Sequence, residues 1–243
     1  MSKLGKYLIF LSKLFTNPEK FRVYWTLIMQ ECKDIGINSM LIVTIVSSFL
    51  GAVTCVQTAA NMENPFVPKY IISLIVRDST ILELGPTITC VVLAGKIGSN
   101  IAGQLGTMRI TEQIDALEVM GINSPSYLVL PKMIAAMVTF PMLVTIACFL
   151  VIYGGYMAGW LTGSVTQQSY IYGLQFDFKP NYVLFALIKS VVFGFLVASI
   201  AAFQGFYTKG GAYEVGKAST AAVTNACIAI LIADYLLAQL LVG

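Results

Sequence analysis

Three charged side chains lie within or at the edge of long apolar segments, where charge is costly and is usually paired or functional. They are Glu83, Lys189 and Asp234. Lys189 lies 22 residues before Gly211 and Asp234 lies 23 after it, so an antiparallel hairpin turning near Gly211 would hold both at a similar depth. The spacing leaves two interpretations open: an ion pair that holds the hairpin together, and the polar lining of a cavity.

Glu83 also has a purely local explanation. Thr80 and Glu83 have the spacing of a helix-capping box, and the Gly85-Pro86 pair disfavours a regular helix at this point. The interpretation of Glu83 as a helix cap therefore stands beside its interpretation as a cavity residue.

The composition excludes most covalent chemistry. The chain has no histidine, which removes a serine–histidine–acid triad and a histidine zinc site. Residues 211–218 nearly fit the phosphate-binding pattern G-x-x-x-x-G-K-S/T, but Ala218 has no hydroxyl for Mg²⁺ and no strand precedes the pattern. A net charge of +3, spread along the chain, does not form a nucleic-acid-binding patch. We therefore expect no catalytic residue, metal, nucleotide or other cofactor in this chain.

The elements that must position these side chains are transmembrane helices. Of 243 residues, 57% are hydrophobic and 11% charged, whereas a soluble domain is about 25% charged. A bilayer core needs about 20 apolar residues per helix. Five segments qualify, near 37–60, 82–105, 129–161, 182–207 and 218–241, the second preceded by a shorter apolar piece at 70–76. We predict an all-α polytopic membrane protein with five transmembrane helices.

The distribution of lysine and arginine predicts the orientation. Eleven of the fifteen lie in the N-terminal arm and in or beside the second-to-third and fourth-to-fifth connections, with Lys96 and Lys132 inside the adjoining ends of the second and third spans. The other connections hold three, Lys69, Arg77 and Lys179. We therefore predict a cytoplasmic N-terminus and a C-terminus on the outside.

The N-terminal arm, residues 1–36, has the pattern of helices that lie on a membrane surface. On its first helix the apolar residues share one face and the lysines the other: Leu4, Tyr7, Leu8, Leu11, Leu14 and Phe15, against Lys3, Lys6 and Lys13. We predict an interfacial segment over 1–36 and a five-span domain over 37–243.

A polar segment, residues 107–121, connects the second and third spans. As a helix it would carry an apolar stripe and an acidic face: Ile110, Ile114 and Leu117, against Glu112, Asp115 and Glu118. Gly121 would end this helix. The acids are either the solvated face of a connector or a docking surface for a basic cytoplasmic partner.

Small residues recur every four positions in two of the spans. They are Gly95, Ser99 and Gly103, then Gly98, Ala102 and Gly106, and in the third span Gly155, Gly159 and Gly163. This spacing lets helix backbones approach closely in lipid. It fits packing within the chain and a seam between two copies equally well.

The central part of the sequence resembles the MlaE-type permease family. The matching blocks are Glu83-Leu-Gly-Pro86, Ala94-Gly-Lys-Ile-Gly98, the polar segment 106–121 and Tyr127-Leu-Val-Leu-Pro131. The resemblance continues through 188–194, 204–205 and 214–220, and covers residues 20–243. Some relatives carry arginine before the glutamate of the first block, where this chain has Leu82. A role assigned to that arginine does not transfer.

The resemblance implies a function and its partners. The family comprises membrane subunits of ABC transporters that work with MCE proteins and move phospholipid between bacterial membranes. It implies a permease of the inner membrane, with a second copy of itself, a cytoplasmic ABC ATPase dimer that binds ATP and Mg²⁺, and a periplasmic MCE-domain protein as partners. It also implies that the arm is an elbow helix and that 107–121 is the coupling helix.

Two sets of site residues are predicted, one in the coupling helix that the resemblance implies and one from the charges and apolar residues expected in the outer half of the membrane. The ATPase-coupling candidates are Arg109, Glu112, Asp115, Leu117 and Glu118. The candidates for an outward-facing lipid cavity are Glu83, Lys189, Asp234, Val53, Val56, Gln57, Phe66 and Tyr70. Two alternatives remain beside this function: a secondary lipid transporter that needs no ATPase, and a non-transporting membrane scaffold for an MCE complex.

Overall fold

The structure, a computed structural model, describes residues 3–14, 21–62 and 68–242. Within these residues there is no strand, and the α-helices are α1 Lys3–Leu14, α2 Phe21–Gly36, α3 Met40–Asn61, α4 Tyr70–Ser79, α5 Thr89–Leu93, α6 Ser99–Ile110, α7 Gln113–Val119, α8 Ser124–Leu161, α9 Gln167–Gln175, α10 Pro180–Phe206 and α11 Ala212–Val242. The predicted all-α class is confirmed.

Five helical stretches among the described residues are long and apolar enough to cross a membrane. They are Val23–Asn61, Tyr70–Ile110, Ser124–Leu161, Pro180–Phe206 and Ala212–Leu240. The chain is therefore a multi-pass membrane protein with the predicted number of spans.

The second span differs from its prediction in one respect. The apolar piece at 70–76 is not separate, because the chain is helical without interruption from Tyr70 to Ile110. Two π-helical stretches, Thr80–Ile88 and Ala94–Gly98, lie inside this helix. Proline breaks the α-helical bond pattern, and a wider π turn around Pro86 carries the helix past it.

The chain folds as two compact units. Unit 1 comprises Met1–Ser39, Val91–Phe140 and Val191–Gly243, and unit 2 comprises Met40–Cys90 and Pro141–Ser190. Three of the four boundaries between these ranges fall inside α5, α8 and α10, so long helices contribute to both units.

In unit 1, helix α1 packs by one face on the C-terminal part of α10. Phe10 is fully buried and lies against the rings of Phe203, Phe206 and Tyr207. The hydroxyl of Tyr7 shares a 2.8 Å hydrogen bond with that of Ser199. The buried face is thus rotated from the predicted one, because Phe10 is inside whereas Leu8 is exposed. That the arm lies on the membrane surface stays a prediction.

Helix α2 follows the first part of α8 in a parallel direction. Tyr24 and Ser126 share a buried 2.7 Å hydrogen bond through their hydroxyls. Further along both helices, a Cβ at Gly36 would lie 3.4 Å from the methyl group of Thr139. The predicted arm ends where α2 ends, at Gly36.

In unit 2, helices α3 and α8 cross at very short distance. A Cβ at Gly51 would overlap the carbonyl of Val151, and one at Gly154 would overlap the carbonyl of Ser48. The small-residue stripe of α8 thus serves packing within the chain, at Gly155 against the Tyr170 hydroxyl and at Gly159 against Cys55. Gly163, the last predicted member, lies beyond the end of α8.

Candidate functional site

The candidate lipid site is built around the π-helical stretch of the second span. In an α-helix the amide of residue 86 would donate to the carbonyl of Leu82, but Pro86 has no N–H. Gly85 is buried and has no room for a side chain, because a Cβ there would overlap the sulfur of Cys148 on α8. The Glu83-Leu-Gly-Pro86 block therefore brings a wide turn close to α8 and leaves Glu83 on its exposed side.

Lys189 of α10 approaches this turn from the neighbouring helix. Its Nζ donates to the carbonyl of Leu82 at 3.1 Å and to Oε1 of Glu83 at 3.0 Å. The Lys189 side chain is 3% exposed, whereas that of Glu83 is 50% exposed. A buried ammonium needs such acceptors, and the exposed half of the carboxylate remains accessible to a ligand.

The structure thus brings together two of the three predicted charges. Glu83 is not a helix cap, because the helix continues through this region and the Thr80 hydroxyl donates to the carbonyl of Val76 instead. Asp234 is partly buried on α11 and belongs to unit 1, whereas Lys189 belongs to unit 2. The pairing of Lys189 with Asp234 stays a prediction.

The other lipid-cavity candidates have different surroundings in unit 2. Val53, Val56 and Gln57 are exposed and share one face of α3. Tyr70 contacts Tyr172 and Phe176 of the α9 region, with ring centroids 5.2 and 5.3 Å apart. Phe66 lies outside the described residues. The role of all five in lipid binding stays a prediction.

Arg77 is a buried charge whose role the sequence analysis did not identify. Its guanidinium donates to the carbonyls of Leu174 and Phe176, each at 2.8 Å, and to the carboxylate of Asp78 at 2.8 Å. These carbonyls lie at the C-terminal end of α9, where a helix has no amide donors left. The signal in the sequence was an arginine followed by an aspartate inside an apolar run.

The coupling segment is shorter and more broken than predicted. Residues 107–110 complete α6, and Glu112 then adopts a left-handed conformation, with φ of 59°, which ends that helix and starts α7. The helix expected over 107–121 is therefore wrong, and only Gln113–Val119 forms a separate helix. Gly121, with φ of 80°, turns the chain towards α8.

The acids of the coupling segment are partly engaged within the chain. Asp115 accepts a 2.6 Å hydrogen bond from Arg109, and Glu118 accepts one of 2.8 Å from Ser124. Glu112 is exposed, and Leu117 is partly buried. Ile114 is fully buried and anchors α7, whereas the tip of the segment exposes Val119 by 88% and Met120 by 66%. The surface available to a partner is thus an apolar tip beside an acid.

The near match to a phosphate-binding loop has helical geometry. Residues 212–218 form the first turns of α11, and α10 precedes them. Among the described residues no group of three histidine, cysteine, aspartate or glutamate side chains could hold a metal ion.

Comparison with known proteins gives concordant results. The family model described as Permease MlaE matches residues 28–240. A probable ABC transporter permease protein of Rickettsia bellii is 36% identical over 98% of this chain and 91% of its own length. The Haemophilus influenzae protein named intermembrane phospholipid transport system permease protein MlaE is 26% identical over 99% of this chain and 92% of its own. The chloroplastic protein TRIGALACTOSYLDIACYLGLYCEROL 1 of Arabidopsis thaliana is 30% identical over 90% of this chain and 63% of its own.

Proposed function

Because the chain belongs to the MlaE permease family, we propose that it is the permease subunit of an ATP-driven ABC transporter. The transporter would move phospholipid between the inner membrane and an MCE protein in the periplasm. The name of the Haemophilus relative supports phospholipid as the cargo. The observation that carries the proposal is the pair of buried Lys189 and half-exposed Glu83 inside two membrane-spanning helices.

This pair has the chemistry to hold a phospholipid headgroup. The phosphate of the headgroup complements the ammonium of Lys189, and it reaches that ammonium from the exposed side, where Glu83 lies. Lys189 keeps its bond to the Leu82 carbonyl while the phosphate replaces the Glu83 carboxylate as counter-ion. Asp234 stays a further candidate for contact with the lipid, and no covalent bond changes in this chain.

The acyl chains need apolar walls beside the headgroup site. The exposed face of α3 offers Val53 and Val56, with Gln57 next to them. We propose this face as the acyl wall, with Phe66 and Tyr70 as further contacts. Burial of apolar surface contributes about 25 cal/mol per Å², so the walls supply most of the affinity and the charges supply orientation.

Coupling to ATP is assigned to α7. In an ABC transporter the permease receives motion from a separate cytoplasmic ATPase dimer, which binds ATP and Mg²⁺. The exposed apolar tip at Val119 and Met120, next to Glu118, is suited to insert into a groove on that partner. The ion pair of Arg109 with Asp115 ties α7 to the end of α6, which passes the motion into the second span.

A second copy of the chain is also part of this proposal. Helices α6 and α11 pack on each other and leave polar side chains exposed within stretches that span the membrane, namely Asn100, Thr107, Thr220, Thr224 and Asn225. The threonine hydroxyls donate to carbonyls of their own helix. The face is still poorly suited to lipid, because the side-chain amides of Asn100 and Asn225 need hydrogen-bond partners that lipid tails lack. Contact with the same face of a second copy would supply those partners.

The orientation follows the positive-inside rule. We propose a bacterial inner-membrane protein with a cytoplasmic N-terminus, an elbow formed by the arm 1–36 and a periplasmic C-terminus. The outer half then holds Glu83 and Lys189, on the side where an MCE protein would receive or deliver lipid.

Reconstitution tests the function. The purified complex of this chain with its ATPase is placed in vesicles, and transfer of a fluorescent phospholipid is followed with and without ATP. We expect ATP-dependent transfer that Glu83→Gln reduces at least tenfold, because without the carboxylate no counter-ion displaces the phosphate from Lys189 and the lipid is not released. The matched control is Glu214→Gln, which removes an acid from an exposed pair with Lys217.

The same experiment separates the two alternatives. Transfer that continues at full rate when ATP hydrolysis is inhibited identifies a secondary transporter. A complex that neither transfers phospholipid nor retains it through purification identifies a scaffold.

A further inference from the structure

Lys132 is a charged side chain buried in unit 1, on the first part of α8. Its side chain is 4% exposed, and its Nζ donates to Oε1 of Glu31 at 2.5 Å and to Oε1 of Gln104 at 2.7 Å. Glu31 belongs to α2 and Gln104 to α6. One ammonium therefore joins three helices that are far apart in the sequence.

This junction lies along the parallel contact of α2 with α8. The contact runs from the Tyr24–Ser126 hydrogen bond, through the Glu31–Lys132 pair, to the approach of Gly36 to Thr139. The first and last of these contacts join α2 to α8. Lys132 also donates to Gln104 of α6, so its ammonium links α2 to α6.

A small polar cavity of about 40 Å³ adjoins the pair. Glu31, Asp34, Lys96 and Lys132 are among its lining residues, so its formal charges balance. The cavity is also lined by Ser39, whose hydroxyl oxygen is fully buried and has no hydrogen-bond partner among the described residues. A single water needs roughly 10–15 Å³ of such space and several polar neighbours, and this cavity has both.

We propose that Lys132, Glu31 and Gln104, with water bound to the Ser39 hydroxyl, form a polar joint that holds α2 and α6 on α8 as one body. Water is the ligand that fits this cavity. An ion would disturb the balance of formal charge, whereas a water molecule is neutral and can both donate a hydrogen bond to the Ser39 hydroxyl and accept one from it. Lys132 is the positioning residue of the joint, since its loss leaves Glu31 without its counter-ion.

The role of this joint in transport rests on the proposed function. Helix α6 leads directly to α7, the segment assigned to the ATPase. With the joint intact, a displacement of α7 moves α2 together with α6. Without it, α7 moves α6 while α2 stays on α8 through its own contacts.

Distance measurement tests the joint without reference to transport. Spin labels are attached at Lys33→Cys on α2 and at Thr111→Cys, directly after the end of α6, in a cysteine-free form of the purified full chain; both positions are exposed. We expect one narrow distance distribution that Lys132→Met broadens at least twofold and Lys132→Arg restores. Lys209→Met, at an exposed lysine, is the matched control. An unchanged distribution in Lys132→Met overturns the joint.

Two further measurements sharpen this result. If Lys132→Met does not fold, Glu31→Gln removes the same ion pair while keeping the shape of the side chain, and the same broadening is expected. In an experimental structure that shows other buried waters, density within hydrogen-bond distance of the Ser39 hydroxyl is expected, and an empty cavity overturns the water.

Transport is tested separately in the complex with the ATPase. We expect Lys132→Met to keep the basal rate of ATP hydrolysis. The stimulation of that rate by phospholipid should fall at least fivefold in Lys132→Met and should recover in Lys132→Arg. Full stimulation in Lys132→Met overturns the transport role of the joint. If the unaltered complex shows no stimulation by phospholipid, the proposed function fails, while the distance measurement still decides the joint.

Discussion

Arg77 and Lys189 both donate to main-chain carbonyls as well as to carboxylates. Arg77 binds carbonyls at the end of α9. Lys189 binds the carbonyl of Leu82, which would accept a hydrogen bond from residue 86 in an α-helix but cannot do so here, because Pro86 has no N–H. Within a membrane protein such carbonyls have no bulk water as an alternative donor. A buried cation is therefore held by the irregular backbone near it, and in return it stabilises that irregularity.

We expect the buried Arg77 side chain to contribute strongly to the stability of the protein. Replacement by methionine leaves several carbonyls of the α9 end without donors, and we expect a loss of about 3–5 kcal/mol of stability. Arg77→Lys keeps the charge but cannot span the carbonyls as a planar guanidinium does, so we expect an intermediate loss. The measurement is the unfolding temperature of the purified protein in detergent. Lys179→Met, at an exposed lysine, should leave it unchanged, and equal temperatures for the Arg77 and Lys179 variants would contradict this role.

The helices of this chain are shaped at a few positions where the regular pattern is broken. In the second span the break predicted from Gly85-Pro86 is absorbed by a π-helical stretch, so the helix is continuous. After α6 the left-handed residue Glu112 does end the helix, because a main chain with positive φ cannot continue it. The break predicted at Gly85-Pro86 thus did not interrupt its helix, whereas the break at Glu112 had no signal in the sequence.

The crossing of α3 and α8 predicts a strong effect of one methyl group. Gly51→Ala places a Cβ against the carbonyl of Val151, and a backbone cannot move aside as a flexible side chain can. We expect a loss of about 1–3 kcal/mol, measured as a lower unfolding temperature. Gly216→Ala on α11 is the control, since nothing lies within 4 Å of a Cβ there. A lowered temperature in both variants, or in neither, would rule out the close crossing as the cause.

The exposed tip of α7 predicts where the ATPase binds. Val119→Asp introduces a charge at the most exposed apolar residue of the segment without touching the buried anchor Ile114. We expect at least tenfold less ATPase to co-purify with this variant. Gln167→Asp, at the exposed first residue of α9, adds the same charge to another connection and should retain the partner. Retention of the ATPase by Val119→Asp would place the docking surface elsewhere.

At the scale of the whole molecule, the division into units follows the distribution of positive charge. All eleven lysines and arginines predicted to be cytoplasmic fall in unit 1, and the remaining four fall in unit 2. The units are defined by contacts between residues, and the predicted orientation is defined by the positions of lysine and arginine. The two divisions of the chain therefore agree although they rest on independent properties. Unit 1 thus holds every lysine and arginine of the proposed cytoplasmic side.

Reporter fusions test this orientation. Alkaline phosphatase is active only outside the cytoplasm, so a fusion at the C-terminus should be active. A fusion after Lys209, in the connection between α10 and α11, should be inactive. The reverse pattern of activities would invert the proposed topology.

The sequence by itself determined the number of spans, the all-α class and the residues of the candidate site. These follow from local properties, since the length of an apolar run and a charge within it can be read without knowing what lies beside it. Glu83 and Lys189 were both identified in this way.

Only the tertiary structure decided which groups meet. Lys189 and Glu83 are 106 residues apart, and Lys132 and Glu31 are 101 apart. Lys132 was counted simply as a cytoplasmic charge, and Arg77 as an outer one. Contacts over such separations depend on how long helices rotate and cross, at positions such as Gly51 where the absence of a side chain sets the distance. A periodic sequence pattern shows which face of a helix is apolar. Which other helix packs against that face is determined only when the whole molecule is folded.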